Sequence, residues 1–241
     1  MMLTASETSL FPLKADIASL ASANRLLASI LPEARDLLPH FYYVEYSFND
    51  TVYESSLVYF PINSVISAVA LLEDGTTIEV NMVGREGMAG VSSLFGRYRS
   101  RYSTRVSVGG SALTINARLF NEFLQENPSA QTMLLGAYRS LISQISQRSV
   151  CNARHSVMER LCCWLLMIHD RIGTDDLRIT QESIAMRLGA RRAGITNAAG
   201  ALRSMHAIAY NRGSITIADR HGLERVACEC YDIFKEDFEG V

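Results

Sequence analysis

The sequence predicts an α+β protein: a block of short antiparallel strands with flanking helices, one long helix, and a C-terminal helix-turn-helix followed by a small hairpin. Three observations predict it. Between Phe41 and Ile115, Tyr, Val, Phe, Ile and Thr become frequent, in the short runs YYVEYSF, SLVYFPI, SVISAVALL, TTIEVNMV and RVSVGGSALTI, separated by Asn-Asp, Asp-Gly and Gly-containing turns. Further on, Leu134, Tyr138, Leu141 and Ile145 form a narrow apolar stripe of heptad type. Finally, TQESIAMRLGARRAGITNAAGALRS, Thr180 to Ser204, carries two apolar helical faces separated by a glycine.

Each element follows in order. Residues up to about Pro39 read as short helices punctuated by Pro12 and Pro32. The closely spaced strands argue an antiparallel sandwich or barrel, and Ala117 to Asn127 reads as a helix. From about Ser129 a long helix runs into the 150s. Its stripe has Ser, Gln and Arg beside it, which suits a helix covering one partner helix. Self-association through Leu134, Tyr138, Leu141 and Ile145 is therefore expected, with packing on the chain's own sheet as the alternative. A further helix starts near Ser156, shows a wide apolar face (Val157, Leu161, Trp164, Leu165, Ile168) and ends by Gly173. Asp175-Asp176 begins a link.

In the C-terminal motif, Ile184, Ala185 and Leu188 line one face of a first helix. Gly189 takes the left-handed conformation that ends a helix without a Cβ penalty. Ala190, Ile195 and Ala198 return the core face on a second helix, and Ala185 is small where two steeply crossing helices approach. Ile208 and Tyr210, then Ile215 and Ile217, alternate around Asn211-Arg212-Gly213 as a short hairpin, or wing. Arg191 and Arg192 fall at the start of the second helix and Arg212 at the wing tip. From Arg178 to Arg225 there are eight arginines, no lysine and three acids (Glu182, Asp219, Glu224), a local net charge of about +5. The whole chain stands at −2. A local positive face is all that phosphate neutralisation requires.

At 241 residues, 48% hydrophobic and 20% charged, the chain has room for two domains. No apolar run reaches the roughly 18 residues of a membrane span, so no membrane partner is expected. The start, MMLTASETSLFPLK, lacks a basic region followed by an apolar one, and a cytoplasmic location is expected. All five cysteines (Cys151, Cys162, Cys163, Cys228, Cys230) lie beyond residue 150 and none forms a CxxC pair, which fits a reduced protein. Cys162-Cys163 reads as core thiol. Cys228 and Cys230, read as helical, would point apart. Cys151 and His155, spaced i, i+4, face one way, with structural filling favoured over ligation. The expectation is of no metal site. No Ser-His-Asp, P-loop or HExxH pattern occurs, so an enzyme is not expected.

Beyond these readings, RLCCWLLMIHDRIG, LRITQESIAMRLGARRAGITNAAGALRSMHAIAYNRGSITIADRHGLERVACECY, VYFPINSVISAV and EVNMVGREGMAGVSSLFG resemble the CRP/FNR family of bacterial transcription regulators, over nearly the whole chain. The resemblance implies a cyclic-nucleotide-binding-like, jelly-roll-like β-roll at 1–128, a dimerisation helix at 129–155 and a winged helix-turn-helix at 156–241. It implies a homodimer on double-stranded DNA with a pseudo-palindromic operator, and RNA polymerase as a further partner of an activator. The candidate DNA contacts are Thr180, Gln181, Arg191, Arg192, Thr196, Asn197, Arg203 and Arg212. The alternative is an effector-binding or protein-interaction module whose winged helix is a docking surface.

The resemblance departs from the family pattern at the ligand site. Cyclic-nucleotide-binding members carry a Gly-Glu-Leu-type turn and then an Arg-Ser or Arg-Thr pair; here Val91 stands for the Glu, beside Ser92, and Tyr102 for the Arg, beside Ser103. Val accepts no ribose hydrogen bond, and Tyr offers one neutral donor instead of a charged fork. Arg101 and Arg105 are the nearby cations for a rearranged pocket, unless they merely face solvent. Iron–sulfur sensing, as resembling members perform it, needs an N-terminal cysteine cluster that is missing here. The expected cofactors are none: neither cyclic AMP nor an iron–sulfur cluster, with another effector or none in the sensor domain.

Overall fold

The computed structural model describes residues 17–52, 56–94, 102–211 and 213–240. Two short helices, α1 (Ile17–Ser22) and α2 (Arg25–Ile30), and a 3-10 turn (Arg35–His40) come first. The strands β1 (Tyr42–Tyr46), β2 (Leu57–Pro61), β3 (Val65–Leu71), β4 (Thr77–Val83), β5 (Ser103–Val108) and β6 (Gly110–Asn116) follow. They pair antiparallel in two sheets, ordered β1-β6-β2 and β4-β3-β5. Period-two alternation sorts their side chains. Tyr59, Ile66 and Val106 meet between the sheets with Val52 and Ala89. Val58, Phe60, Leu113 and Ile115 face outward under the N-terminal helices and α3 (Ala117–Glu126). Buried Asn24 fastens this layer: its Oδ1 accepts the Leu27 N–H that opens α2, and its Nδ2 donates to the carbonyls of Pro61 and Gly87, each at 2.9 Å.

The long helix is α4 (Pro128–Arg154), with proline in its first turn, where the missing N–H costs nothing. It ends at His155, whose backbone is extended. Helix α5 (Val157–Ile172) starts at once, capped by reciprocal Ser156–Glu159 bonds and closed by left-handed Gly173. The expected stripe on α4 needs correction. Leu134 is buried in the sensor core, and Leu141 lines a groove with Met82, Val83 and Phe238. Tyr138 and Ile145 are half-buried at the edge of that inward face. The large apolar residues that α4 exposes are instead Met133, Leu135 (59%), Ile142 (65%) and Val150, of which Leu135 and Ile142 stand one heptad apart. The reason is rotational: 134 and 135 differ by about 100° around a helix, and the sheet and α2 claim the side that carries Leu134 and Leu141.

The outer face of β4-β3-β5 is also covered, and it holds a buried charge. Glu79 on β4 is 1% exposed. Its Oε1 accepts from Arg148 Nη2 on α4 (2.9 Å) and from Trp164 Nε1 on α5 (2.8 Å). Its Oε2 accepts from Ser67 (2.7 Å) and Ser107 (3.0 Å) on the flanking strands. One carboxylate thus satisfies donors from the sheet, the long helix and the next domain, as a buried ion requires.

The chain continues through β7 (Asp176–Leu177), α6 (Gln181–Leu188), α7 (Arg192–Ser204), β8 (Ile208–Asn211), β9 (Ser214–Ile217), α8 (Arg220–Val226) and α9 (Cys230–Glu239). Asp176, read as part of a link, belongs to a strand: β7 pairs with β9 in a third sheet ordered β7-β9-β8. Two residues are too few to show a period. Helix α9 returns to α4 and α5, burying Cys230, Tyr231, Phe234 and Phe238. The Arg25 guanidinium stacks 4.3 Å from the Phe238 ring centroid. No helix among the described residues is long and apolar enough to cross a membrane.

Candidate nucleic-acid interface

The two helices α6 and α7 form around one small core. Ile184, Ala185, Leu188, Ile195, Ala198, Ala199 and Leu202 are buried together with Ile208, Ile215 and Ile217 of the wing. Thr180 caps α6 by exchanging bonds with Ser183, its Oγ1 accepting the Ser183 N–H while Ser183 Oγ accepts the Thr180 N–H. Gly189 ends α6 at φ +57, and a Cβ there would meet Ile78 Cδ1 at 3.2 Å. The left-handed backbone is what favours glycine here, and the Ile78 side chain of β4 would have to give way slightly to a Cβ. Arg160 on α5 donates to the Leu188 carbonyl, tying the turn to the helix beneath it.

Helix α7 presents the predicted residues to solvent. Arg191 is its N-cap and Arg192 its first residue, and Arg191, Arg192, Thr196, Asn197 and Arg203 are all exposed. Arg192, Thr196 and Arg203 stand at i, i+4 and i+11 and share one line along the helix; Asn197 lies about 100° further round. Between them the surface is small: Ala193 is exposed, and a Cβ on Gly200 would touch nothing within 4 Å. A face with large residues only at its borders lets the helix axis approach base edges closely, a feature the sequence reading missed although the run AGITNAAGA displays it. The unsatisfied N–H groups and the helix dipole add positive potential at the arginine end. Thr196 Oγ1 donates to Gln181 Oε1 at 2.9 Å, so these two candidates act as a pair bridging α6 and α7. The exposed edge of α6 starts at Thr180. Arg212 lies outside the described residues; the strands β8 and β9 that flank it are in place, with Gly213 at φ +85.

The motif is not free of the sensor half. Arg187 on α6 is 5% exposed, donates to the Val106 carbonyl at 3.4 Å and lies 6.0 Å from the Phe48 ring centroid. Burial pulls its pKa below the usual guanidinium value, while the Glu79 charge acts in the opposite sense.

The described candidate effector residues sit at different places on the roll. Val91 begins a 3-10 turn (Val91–Ser93), half-buried against the N-terminal helical cluster, with Ser92 beside it. Tyr102 is 49% exposed. On β5, Ser103 and Arg105 alternate with Val106, which fills the space between the sheets. Arg105 pairs in register with Ser67, whose hydroxyl faces Glu79. Both residues therefore sit on the outer face of the sheet, a correction to their placement in a pocket within the roll. Arg105 Nη1 is engaged by Thr51 Oγ1 at 2.6 Å. Arg101 lies outside the described residues.

The thiols depart from expectation as well. Cys228 and Cys230 do not share a helix, because Ala227 is extended and ends α8 before α9 begins at Cys230. Both sulfurs turn toward Cys151 and His155 at the end of α4.

Comparison with known proteins agrees with this geometry. Residues 159–226 match the Crp-like helix-turn-helix domain. A global nitrogen regulator of Nostoc sp. is 25% identical over 169 residues, covering 66% of this chain and 76% of that protein. A CRP-family transcriptional regulator from Thermus thermophilus has a similar structure, with a TM-score of 0.63 at 18% identity over 76% of this chain and 95% of that one. FixK2 from Bradyrhizobium japonicum gives 0.65 at 14% identity, over 77% and 96%. Residues 159–226 thus carry a Crp-like helix-turn-helix domain, and the chain shares its fold with structures of CRP-family regulators.

Proposed function

We propose that the chain acts as a homodimer reading a pseudo-palindromic DNA operator through α7, with a sensor domain that answers to an effector other than a cyclic nucleotide, or to none. The observation that carries the reading is the exposed α7 face, where Arg192, Thr196 and Asn197 border a strip of small residues at a positive helix end. Arg192 is assigned a base contact, since an arginine fork grips guanine through two bonds. Arg191 and Arg203 serve phosphates, which fix register and orientation without reading sequence. The dimer is assigned to the line Leu135, Tyr138, Ile142, Ile145, which keeps two residues of the expected stripe and replaces buried Leu134 and Leu141, which lines the groove against α9.

Arg192→Ala is expected to reduce discrimination between operator and altered sites by about 1–3 kcal/mol, roughly 5- to 150-fold. Arg203→Ala should weaken all sequences alike and make the salt dependence shallower by about one phosphate. Fluorescence anisotropy with promoter fragments across a salt series measures both. Unchanged specificity in Arg192→Ala removes the base-contact assignment. Absence of any salt-sensitive DNA complex favours the docking-module alternative.

For the sensor domain, the reading rests on Val91, packed against apolar neighbours, and on Arg105, held by Thr51 on the outer face of the sheet. Each lost charge-assisted bond costs a nucleotide about 1.5–3 kcal/mol. Titration calorimetry with cyclic AMP is expected to show no micromolar binding. Micromolar binding coupled to higher DNA affinity would refute this half of the proposal.

A further inference from the structure

Two segments distant in sequence bring thiols and one imidazole to a single point. Cys151 and His155 stand one turn apart at the end of α4, and Cys228 and Cys230 flank the turn between α8 and α9. One ligand atom from each of these four residues lies within 4.8 Å of all the others. The Cys151 and Cys228 sulfurs are 3.6 Å apart, and Cys230 Sγ is 3.5 Å from His155 Nδ1. Donors bound about 2.3 Å (sulfur) and 2.0–2.1 Å (nitrogen) from one tetrahedral ion sit roughly 3.5–3.8 Å from each other. These two separations already match that spacing, and the longer ones, all within 4.8 Å, need only a small closure.

The surroundings have the character of a supporting layer. His155 directs Nδ1 at Cys230 while its Nε2 lies 3.3 Å from Glu229 Oε1. This is the carboxylate–imidazole arrangement that fixes a metal-ligating ring. Gln147 Nε2 donates to Cys230 Sγ at 3.0 Å, and the Cys163 thiol lies 3.4 Å from Cys228 Sγ. All three candidate ligand sulfurs are buried, and His155 is half-buried.

We propose that Cys151, Cys228, Cys230 and His155 Nδ1 bind one thiophilic divalent cation, zinc by preference, in a closed tetrahedral Cys3His site. Soft thiolates with one imidazole in this geometry select zinc over oxygen-seeking magnesium or calcium. Binding releases three thiol protons to solvent and leaves a complex of one dication, three thiolates and a neutral imidazole, with a net charge of −1. The ion has no oxidation step and no open position for substrate. Its place in the fold gives it a mechanical role: it joins the end of α4 to the start of α9, at the residue where the chain turns from the long helix into α5. A filled site fixes that corner.

The experiment uses the full chain, reduced and stripped with a chelator, then titrated with cobalt(II) and displaced by zinc(II). One cobalt per chain is expected, with intense tetrahedral d–d bands and thiolate-to-cobalt charge transfer, both bleached by one equivalent of zinc. Cys228→Ser and Cys230→Ser should each lower the charge-transfer intensity by about one third and weaken zinc by at least ~100-fold. Glu229→Gln should weaken it about 10-fold. Cys162→Ser, the neighbouring thiol outside the cluster, should change nothing. A weak six-coordinate spectrum in the native chain, or equal zinc affinity in Cys228→Ser, overturns the proposal. So does protein from zinc-replete cells that carries no metal but a disulfide among these thiols.

Discussion

Glu79→Ala is expected to cost about 3–5 kcal/mol of unfolding free energy, the range for removing one member of a buried ion pair. The cost comes from what remains. Arg148, with its side chain 8% exposed, keeps a charge with no counterion, Trp164 loses its acceptor, and Ser67 and Ser107 are left with each other. Urea denaturation of the variant and parent at one pH and salt gives the difference directly. Glu79→Leu combined with Arg148→Met should recover most of the loss, since apolar replacement of a whole buried pair is often neutral or stabilising. Recovery should be incomplete, because three neutral donors still point at the site. A cost below about 1 kcal/mol for Glu79→Ala would mean that water enters the cluster and that Glu79 does not hold the layers together.

If the proposed homodimer forms through this line, Ile142→Glu is expected to separate it into monomers and to weaken operator binding by at least about 100-fold. At a two-fold axis a residue meets its own copy or its near neighbours, so one substitution sets two carboxylates into an apolar seam. Ile142 is 65% exposed within its own chain, so the change leaves the monomer core intact. A single half-site then supplies about half the phosphate contacts, and the salt slope should fall in proportion. Sedimentation equilibrium and thermal unfolding, run side by side, distinguish dissociation from misfolding. Leu141→Glu is the contrasting variant: it should unfold the groove against α9 instead. A dimeric Ile142→Glu, or a Leu141→Glu that dissociates without loss of stability, would place the seam elsewhere.

The one-residue difference between these variants marks where local pattern stops being informative. Leu134/Leu141 and Leu135/Ile142 are both spaced by seven, so periodicity scores them alike; only the sheet and helices packed on α4 decide which pair is inside. The helix-turn-helix was legible because its spacing, its glycine and its caps are local. So were α5, through Ser156 and Gly173, and the alternating strands of the roll. Glu79 was not legible. In TTIEVNMV it occupies a position that reads as the solvent side of a half-buried strand, and its burial follows from Trp164 and Arg148, which arrive from far along the chain. The thiols were misread for a comparable reason. Cys228-Glu229-Cys230 looks helical, and the break at Ala227 that turns both sulfurs one way has no glycine or proline to announce it.

Arg187, bonded to β5, and Gly189, set against β4, have a consequence for how the molecule comes apart. The apolar cluster beneath the helix-turn-helix includes Val65, Met82 and Val108 from the sheet, so the two halves share one apolar core. Heat should therefore melt reader and roll in a single calorimetric transition, with an enthalpy that matches its van't Hoff value. Modular exchange is constrained for the same reason. Grafting residues 156–241 onto a foreign sensor would strand Arg187 without the Val106 carbonyl and expose three apolar side chains on the roll left behind. In this chain the heritable unit of DNA recognition is larger than the helix-turn-helix, and it includes one face of the sheet.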